Sequence, residues 1–274
     1  MKWVIADAGT YYEVGDFDGR NWKGFGDRSP NSKSDKKKDR LKFDYGDSYY
    51  AAQVFNQGPD GRVVHIGWLS SKQSGYRPFL DAGMPFTQQM SIPAEITLKS
   101  TSEGIRMYRN PVAEIAEMYI KSHRFEKIST DQANAKLAQL DLELIDATFN
   151  LKATQNIDFH VRGLKISYDK EKQVLRFFNS KRVEGEKAAH ALGKRKKHPY
   201  RDNGIREIPT PSIDGKVKIR VLVDRASLEI FVNDGQAAAS FVVVPDPANR
   251  KIHISGNTEF NSIEVNEIAS IWQE

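Results

Sequence analysis

Cysteine is absent from all 274 residues. Its absence removes disulfides, thiolate nucleophiles and Cys-ligated zinc at once. It does not fix the redox compartment, because exported proteins can also lack disulfides. Long apolar runs are missing too, and none approaches the ~18 residues that a membrane helix needs. The first apolar stretch, WVIA at 3–6, ends at Asp7. That is short of the ~7–15 residues of a secretory signal, so the sequence as given is expected to carry no export signal. The six histidines are not paired at metal-ligand spacing. Metalloprotease H-E-x-x-H, nucleophile-elbow G-x-S-x-G and phosphate-loop patterns are all lacking. The sequence therefore shows no metal-ligating motif.

What is present suits a globular protein. At about 100–200 residues per domain, the length suggests two domains or one large all-β domain. Hydrophobic residues make up 39% of the chain, enough to build a core and too many for disorder. Lys and Arg total 41 against 36 Asp and Glu, a formal net charge of +5. The excess sits in two runs, KSDKKKDR at 33–40 and KRKK at 194–197, both among Ser, Asp, Gly and Pro. These read as solvated loops, without an amphipathic helix or a nucleic-acid motif around them. Nucleic acid and membrane are therefore not expected partners.

Along residues 1–110, short β-rich segments alternate with turn signals. Segments at 3–5, 10–17, 49–55, 62–69, 95–99 and 105–108 read as strands. The loop NQGPDG at 56–61 joins two of them as a hairpin. Such spacing means a sandwich, barrel or propeller. At Asn110-Pro111 the pattern changes to an N-cap with proline at the first helical position. Val112, Ile115, Met118 and Tyr119 then predict a helix to about Lys121. A second helical or turn segment follows Thr130, with Ala133, Leu137 and Leu140 on one side. Residues 111–140 are thus expected to connect two β domains, and strands over 141–274 form an antiparallel sandwich.

Two features bear on chemistry. Asp16 and Asp18 flank Phe17, and Asp44 and Asp47 flank Tyr45-Gly46. Paired carboxylates suit glycoside hydrolysis, while DFDG is equally a strand end followed by a turn. Tyr45, Tyr49, Tyr50, Trp68, Tyr76 and Phe86 lie close together among Asp and Gln. Apolar ring faces mixed with polar groups suit a carbohydrate, and aromatic residues at alternate positions equally suit a β core. His65, in an apolar strand, reads as a core or edge histidine.

Several motifs in order resemble glycoside hydrolase family 32, the β-fructosidases (levanases, inulinases and invertases). They are YEVGDFDG at 12–19, DYG at 44–46 followed by YYAAQ at 49–53, RVVHIGWL at 62–69, GMPFTQQMSIP at 83–93, VLVDRASLEIFVNDG at 221–235 and SIW at 270–272. The resemblance implies an all-β fold: about two blades from the C-terminal portion of a five-bladed β-propeller, then a β-sandwich. It implies a fructan or sucrose-like carbohydrate as substrate, no cofactor, and members that are often secreted or periplasmic. By matched position, Asp44 is expected to hydrogen-bond a sugar hydroxyl and Trp68 to pack beside it, with Tyr45 in the same substrate-binding set.

The family's acidic motifs N-D-P-N-G, R-D-P and E-C-P are all absent. Asn233-Asp234 runs into Gly-Gln, Arg201-Asp202 into Asn, and Glu-Cys cannot occur. No catalytic residue is therefore assigned, and Glu95, Arg225 and Glu229 read as structural. Three readings stay open: a truncated β-fructosidase, one half that assembles with an N-terminal propeller chain, or a non-catalytic carbohydrate-binding or structural protein.

Overall fold

Alternating apolar residues build four antiparallel sheets, joined by turns that use Gly, Asn and Asp. The computed structural model describes residues 2–24, 41–55, 57–70, 77–180, 183–184, 187 and 204–271. The basic runs at 33–40 and 194–197, with Tyr76, Arg201-Asp202 and Trp272, lie outside the described residues.

The first sheet has four strands: β1 (Trp3–Ala6), β2 (Tyr11–Phe17), β3 (Trp22–Gly24) and β4 (Leu41–Lys42). Its order is β1-β2-β3, with β4 also pairing β2. The second contains β5 (Tyr49–Val54), β6 (Val63–Leu69), β7 (Gln89–Met90), β8 (Ala94–Thr101) and β9 (Gly104–Pro111). A short helix α1 (Arg77–Asp81) lies between β6 and β7.

The helix expected from Pro111 to Lys121 does not form. Asn110 and Pro111 instead close β9, opposite Glu95 and Ala94. Proline is tolerated there because β9 is an edge strand, with no further strand paired to it among the described residues. A 3-10 turn over Ala113–Met118 buries Ile115, and an eleven-residue strand β10 (Tyr119–Ser129) follows. Its aromatic and β-branched residues favour a strand, and it pairs along its length with the last strand of the chain. The second helix expectation fits: α2 (Thr130–Leu137) starts at a capping box of Ser129 and Gln132 and buries Ala133 and Leu137.

The remaining strands are β11 (Ile145–Lys152), β12 (Ile157–Val161), β13 (Leu164–Asp169), β14 (Val174–Phe178), β15 (Ile205–Pro209), β16 (Lys216–Val223), β17 (Ser227–Val232), β18 (Ala237–Val242), β19 (Ile252–Ser255) and β20 (Glu259–Ile268). They form a six-stranded sheet, β10-β20-β11-β16-β17-β18, over a five-stranded one, β15-β14-β13-β12-β19. Phe149 meets Phe159 across this sandwich at 4.8 Å, and Phe177 meets Phe241 at 4.7 Å. Every residue of β17 and β18 is buried. One face of these strands lines the sandwich core. The other is covered by the N-terminal sheets, whose Tyr12, Tyr49 and Met107 cluster with Ala226 and Val242, and by the 3-10 turn, whose Ile115 joins Leu222, Phe231 and Ala238.

Candidate functional site

The DYG segment at 44–46 follows β4 and runs along the outer edge of β18. The amide N–H of Tyr45 donates to the Ala238 carbonyl at 2.8 Å, and those of Asp47 and Ser48 donate to the Ser240 carbonyl at 3.3 Å. In return the Val242 amide N–H donates to the Ser48 hydroxyl at 2.9 Å. Gly46 permits this approach, because a Cβ there would lie 2.1 Å from the Ser240 carbonyl oxygen. A sheet edge with unpaired backbone groups is thereby satisfied within the chain.

Asp44 is fully buried at the centre of this seam. Its Oδ1 accepts the amide N–H groups of Gly46 at 2.8 Å and Ser240 at 3.2 Å. Its Oδ2 accepts Arg109 Nη2 at 2.5 Å and the Ser240 hydroxyl at 2.7 Å. Burial pushes the carboxyl up, against the pull of the Arg109 guanidinium and these hydrogen bonds. Arg109, on β9, is buried as deeply, with its guanidinium 4.3 Å from the Tyr49 ring centroid and 5.6 Å from that of Phe231. Behind Tyr49 lies His65, bonded through Nδ1 to the Tyr49 hydroxyl at 3.0 Å. Burial pulls His65 down to about 4, with Arg109 adding in the same direction, so the ring is a neutral core histidine near neutral pH. The second carboxylate of the cluster is Glu229 on β17, which accepts the Ile92 amide N–H at 2.6 Å.

The three residues expected to meet a sugar therefore part company. Asp44 has protein donors on both of its oxygens. Tyr45 is partly buried, with its amide docked on β18 and its ring against the sandwich core. Trp68 stands on the other face of β6 from Gly67 and Leu69. There it is half-buried, edge-to-face with Tyr50 at 6.1 Å and opposite Met90 in register. Tyr50 is 45% exposed, so this pair presents an open aromatic surface.

The other acidic candidates are structural. Asp18 accepts the amides of Arg20 at 2.8 Å and Asn21 at 2.7 Å, the turn reading of DFDG. Asp16 pairs with Lys2 at 2.9 Å on the surface. Glu95 lies 3.9 Å from Arg62, and Arg225 pairs with Glu143 at 2.9 Å. Asn233 and Asp234 hold positive φ in the β17–β18 hairpin. Among the described residues, no group of three His, Asp or Glu could hold a metal, and no helix is long and apolar enough to cross a membrane.

Arg109, Ser240 and Glu229 were not anticipated as a cluster. The available signal was a Glu and a Ser inside the otherwise apolar runs LEIFV and AAASFV.

Residues 4–111 match the profile of the glycosyl hydrolases family 32 N-terminal domain, and residues 114–271 match that of the family 32 C terminal. The chain belongs to glycosyl hydrolase family 32. Levanase of Bacillus subtilis (strain 168) is 28% identical over 284 residues, covering 98% of this chain and 39% of the relative. An extracellular exo-inulinase of Aspergillus awamori is 25% identical over 299 residues, 99% of this chain and 52% of that protein. The chain thus spans about half or less of these relatives. The crystal structure of exo-inulinase from Aspergillus awamori superposes with a TM-score of 0.69 at 21% identity, over 96% of this chain and 50% of the other. Sucrose-6-phosphate hydrolase from Lactobacillus gasseri gives 0.70 at 18% identity, over 96% and 48%. These likenesses support an all-β propeller-and-sandwich fold.

Proposed function

We propose that these residues are the trailing portion of a β-fructosidase-type glycoside hydrolase acting on fructans or sucrose. The first two sheets are then about two blades of a five-bladed propeller, and residues 141–274 belong to its sandwich. The observation that carries this reading is the ordered match of both family profiles, 4–111 and then 114–271. The names of the relatives, levanase and exo-inulinase, supply the substrate class.

The 274 residues do not by themselves hydrolyse fructosides. Retaining hydrolysis needs two carboxyl groups about 5–5.5 Å apart on either side of a reachable bond. The family's acidic motifs are missing, and the close Asp44–Glu229 cluster is sealed from solvent. The catalytic carboxylates are then supplied by a polypeptide segment outside these residues, such as an N-terminal propeller chain. Trp68 is the residue here that faces sugar, with Tyr50 beside it.

The test is fructose release from levan, inulin and sucrose. The purified chain is expected to release none. Mixing with a polypeptide that carries the three acidic motifs is expected to produce activity. Hydrolysis by the chain alone would overturn the reading. The exposed Tyr50–Trp68 pair also favours a second reading, a non-catalytic carbohydrate-binding protein. Calorimetric binding of a fructan by the lone chain, lost in Trp68→Ala, with no activity in any mixture, would select it.

A further inference from the structure

Hydrogen-bond accounting in the buried seam leads to a specific proton. Ser240 Oγ touches three partners: Arg109 Nη2 at 3.2 Å, Asp44 Oδ2 at 2.7 Å and Glu229 Oε2 at 3.2 Å. A serine hydroxyl has one hydrogen to donate and two lone pairs. Arg109 can only donate, so it uses a lone pair. Asp44 is the shorter contact and already faces three other donors, the arrangement of an ionised carboxylate, so it receives the hydroxyl hydrogen. The remaining contact, Ser240 Oγ to Glu229 Oε2, is a hydrogen bond only if Glu229 supplies the hydrogen. Glu229 Oε1 is already an acceptor, bonded to the Ile92 amide N–H at 2.6 Å. A carboxylic acid with Oε1 as its carbonyl and Oε2 as its O–H satisfies both contacts.

We propose that Glu229 is protonated in the docked protein and that this proton locks the N-terminal sheets to the sandwich, so that ionising Glu229 loosens the seam. The charges facing it agree. Arg109 comes from β9, Asp44 from the segment after β4, and Tyr49 and the neutral His65 from β5 and β6. One guanidinium therefore serves two fully buried carboxyl groups, and a second negative charge there would have no cation of its own. Burial pushes Glu229 up to about 7, with Asp44 adding to the rise and Arg109 opposing it.

The sign follows from linkage. A carboxyl raised in the folded state gives stability that is complete below the ordinary glutamate range and is lost as pH rises to about 7. His65 acts oppositely, since its stability is lost as pH falls from about 6.5 towards 4. The two slopes overlap, so the wild-type profile alone is blunt and the comparison must be between variants.

Glu229→Gln keeps the acid's hydrogen bonds, with a carbonyl for Ile92 and an N–H for Ser240. Urea unfolding of both proteins from pH 4 to 9 is expected to show similar stability below about pH 4.5. The ratio of unfolding constants, wild type over variant, should then climb on the order of a hundredfold by pH 8. After correction for intrinsic rates, amide exchange at Tyr45 and Arg109 should accelerate above pH 7 in wild type but not in the variant. A ratio independent of pH would overturn the proposal. Should the variant fail to fold, the wild-type protein labelled with carboxyl-13C glutamate decides. One glutamate titrating near neutrality is expected, and all of them titrating in the ordinary acidic range would overturn it.

Discussion

Arg109 is the residue on which the seam turns. Its buried guanidinium holds Asp44 at 2.5 Å and lies over Tyr49, while its Nε and Nη1 find no hydrogen-bond acceptor among the described residues. Removing one member of a buried pair is costly because the other charge stays desolvated, typically about 3–5 kcal/mol. Arg109→Met is therefore expected to lose stability of that order at pH 8 by urea denaturation. The loss should shrink at pH 5, where Glu229 is neutral and Asp44 can more readily take a proton. A loss under about 1 kcal/mol at pH 8 would contradict this account. The position itself was only half legible: period two puts Arg109 on the same face of β9 as Ile105 and Met107, but an Arg there gives no sign of the carboxylate it meets, which comes from packing against the 44–48 segment, β17 and β18.

At the scale of the element, strand β18 ends a six-stranded sheet and would expose half its backbone groups without the segment at 44–48. Gly46 sets how closely that segment approaches. Gly46→Ala forces the two backbones apart and breaks the Tyr45-to-Ala238 and Asp47-to-Ser240 bonds. Hydrogen exchange by mass spectrometry is expected to rise in the peptide covering 237–242 and to stay unchanged in β12 and β13. Unchanged exchange in β18 would mean that the segment is not its cap. In the first 110 residues most strands were readable from short β-rich segments between turn signals, among them β2, β5 and β6. The helix expected after Asn110 was misread because N-P serves equally as a strand end, and pairing with β8 and β20 outweighed the i, i+3 spacing. β15 is not legible in sequence, because IREIP has little alternation of its own and is held by its pairing with β14.

For the whole molecule, the N-terminal sheets leave apolar surface open. Trp3 (46%), Ile5 (42%) and Phe17 (41%) are exposed at the sheet edged by β1, which among the described residues pairs only with β2. On the second sheet Val54 (50%) and Met90 (53%) join Tyr50 in the open. Propellers cover such flanks by closing on themselves, and uncovered edges promote association. Sedimentation velocity of the 274-residue chain is expected to show concentration-dependent self-association. Ile5→Lys combined with Val54→Lys should shift it towards monomer. A monomer at every concentration would show that these surfaces are not sticky enough to matter.

The sequence by itself determined the fold class, most strand positions, the family and the absence of the family's acidic motifs. These are written in local pattern: side chains alternate with period two, turns need particular residues, and a motif is either spelled out or not. Only the tertiary structure decided what DYG does in this chain. That Asp44 meets a guanidinium depends on which surface lies across from it. That surface comes from Arg109, Glu229 and Ser240, which are 65 to 196 positions away in the chain. Burial and partnership are properties of packing, so the charge state of Glu229 could not be read until β17, β18 and β9 were seen to close around it.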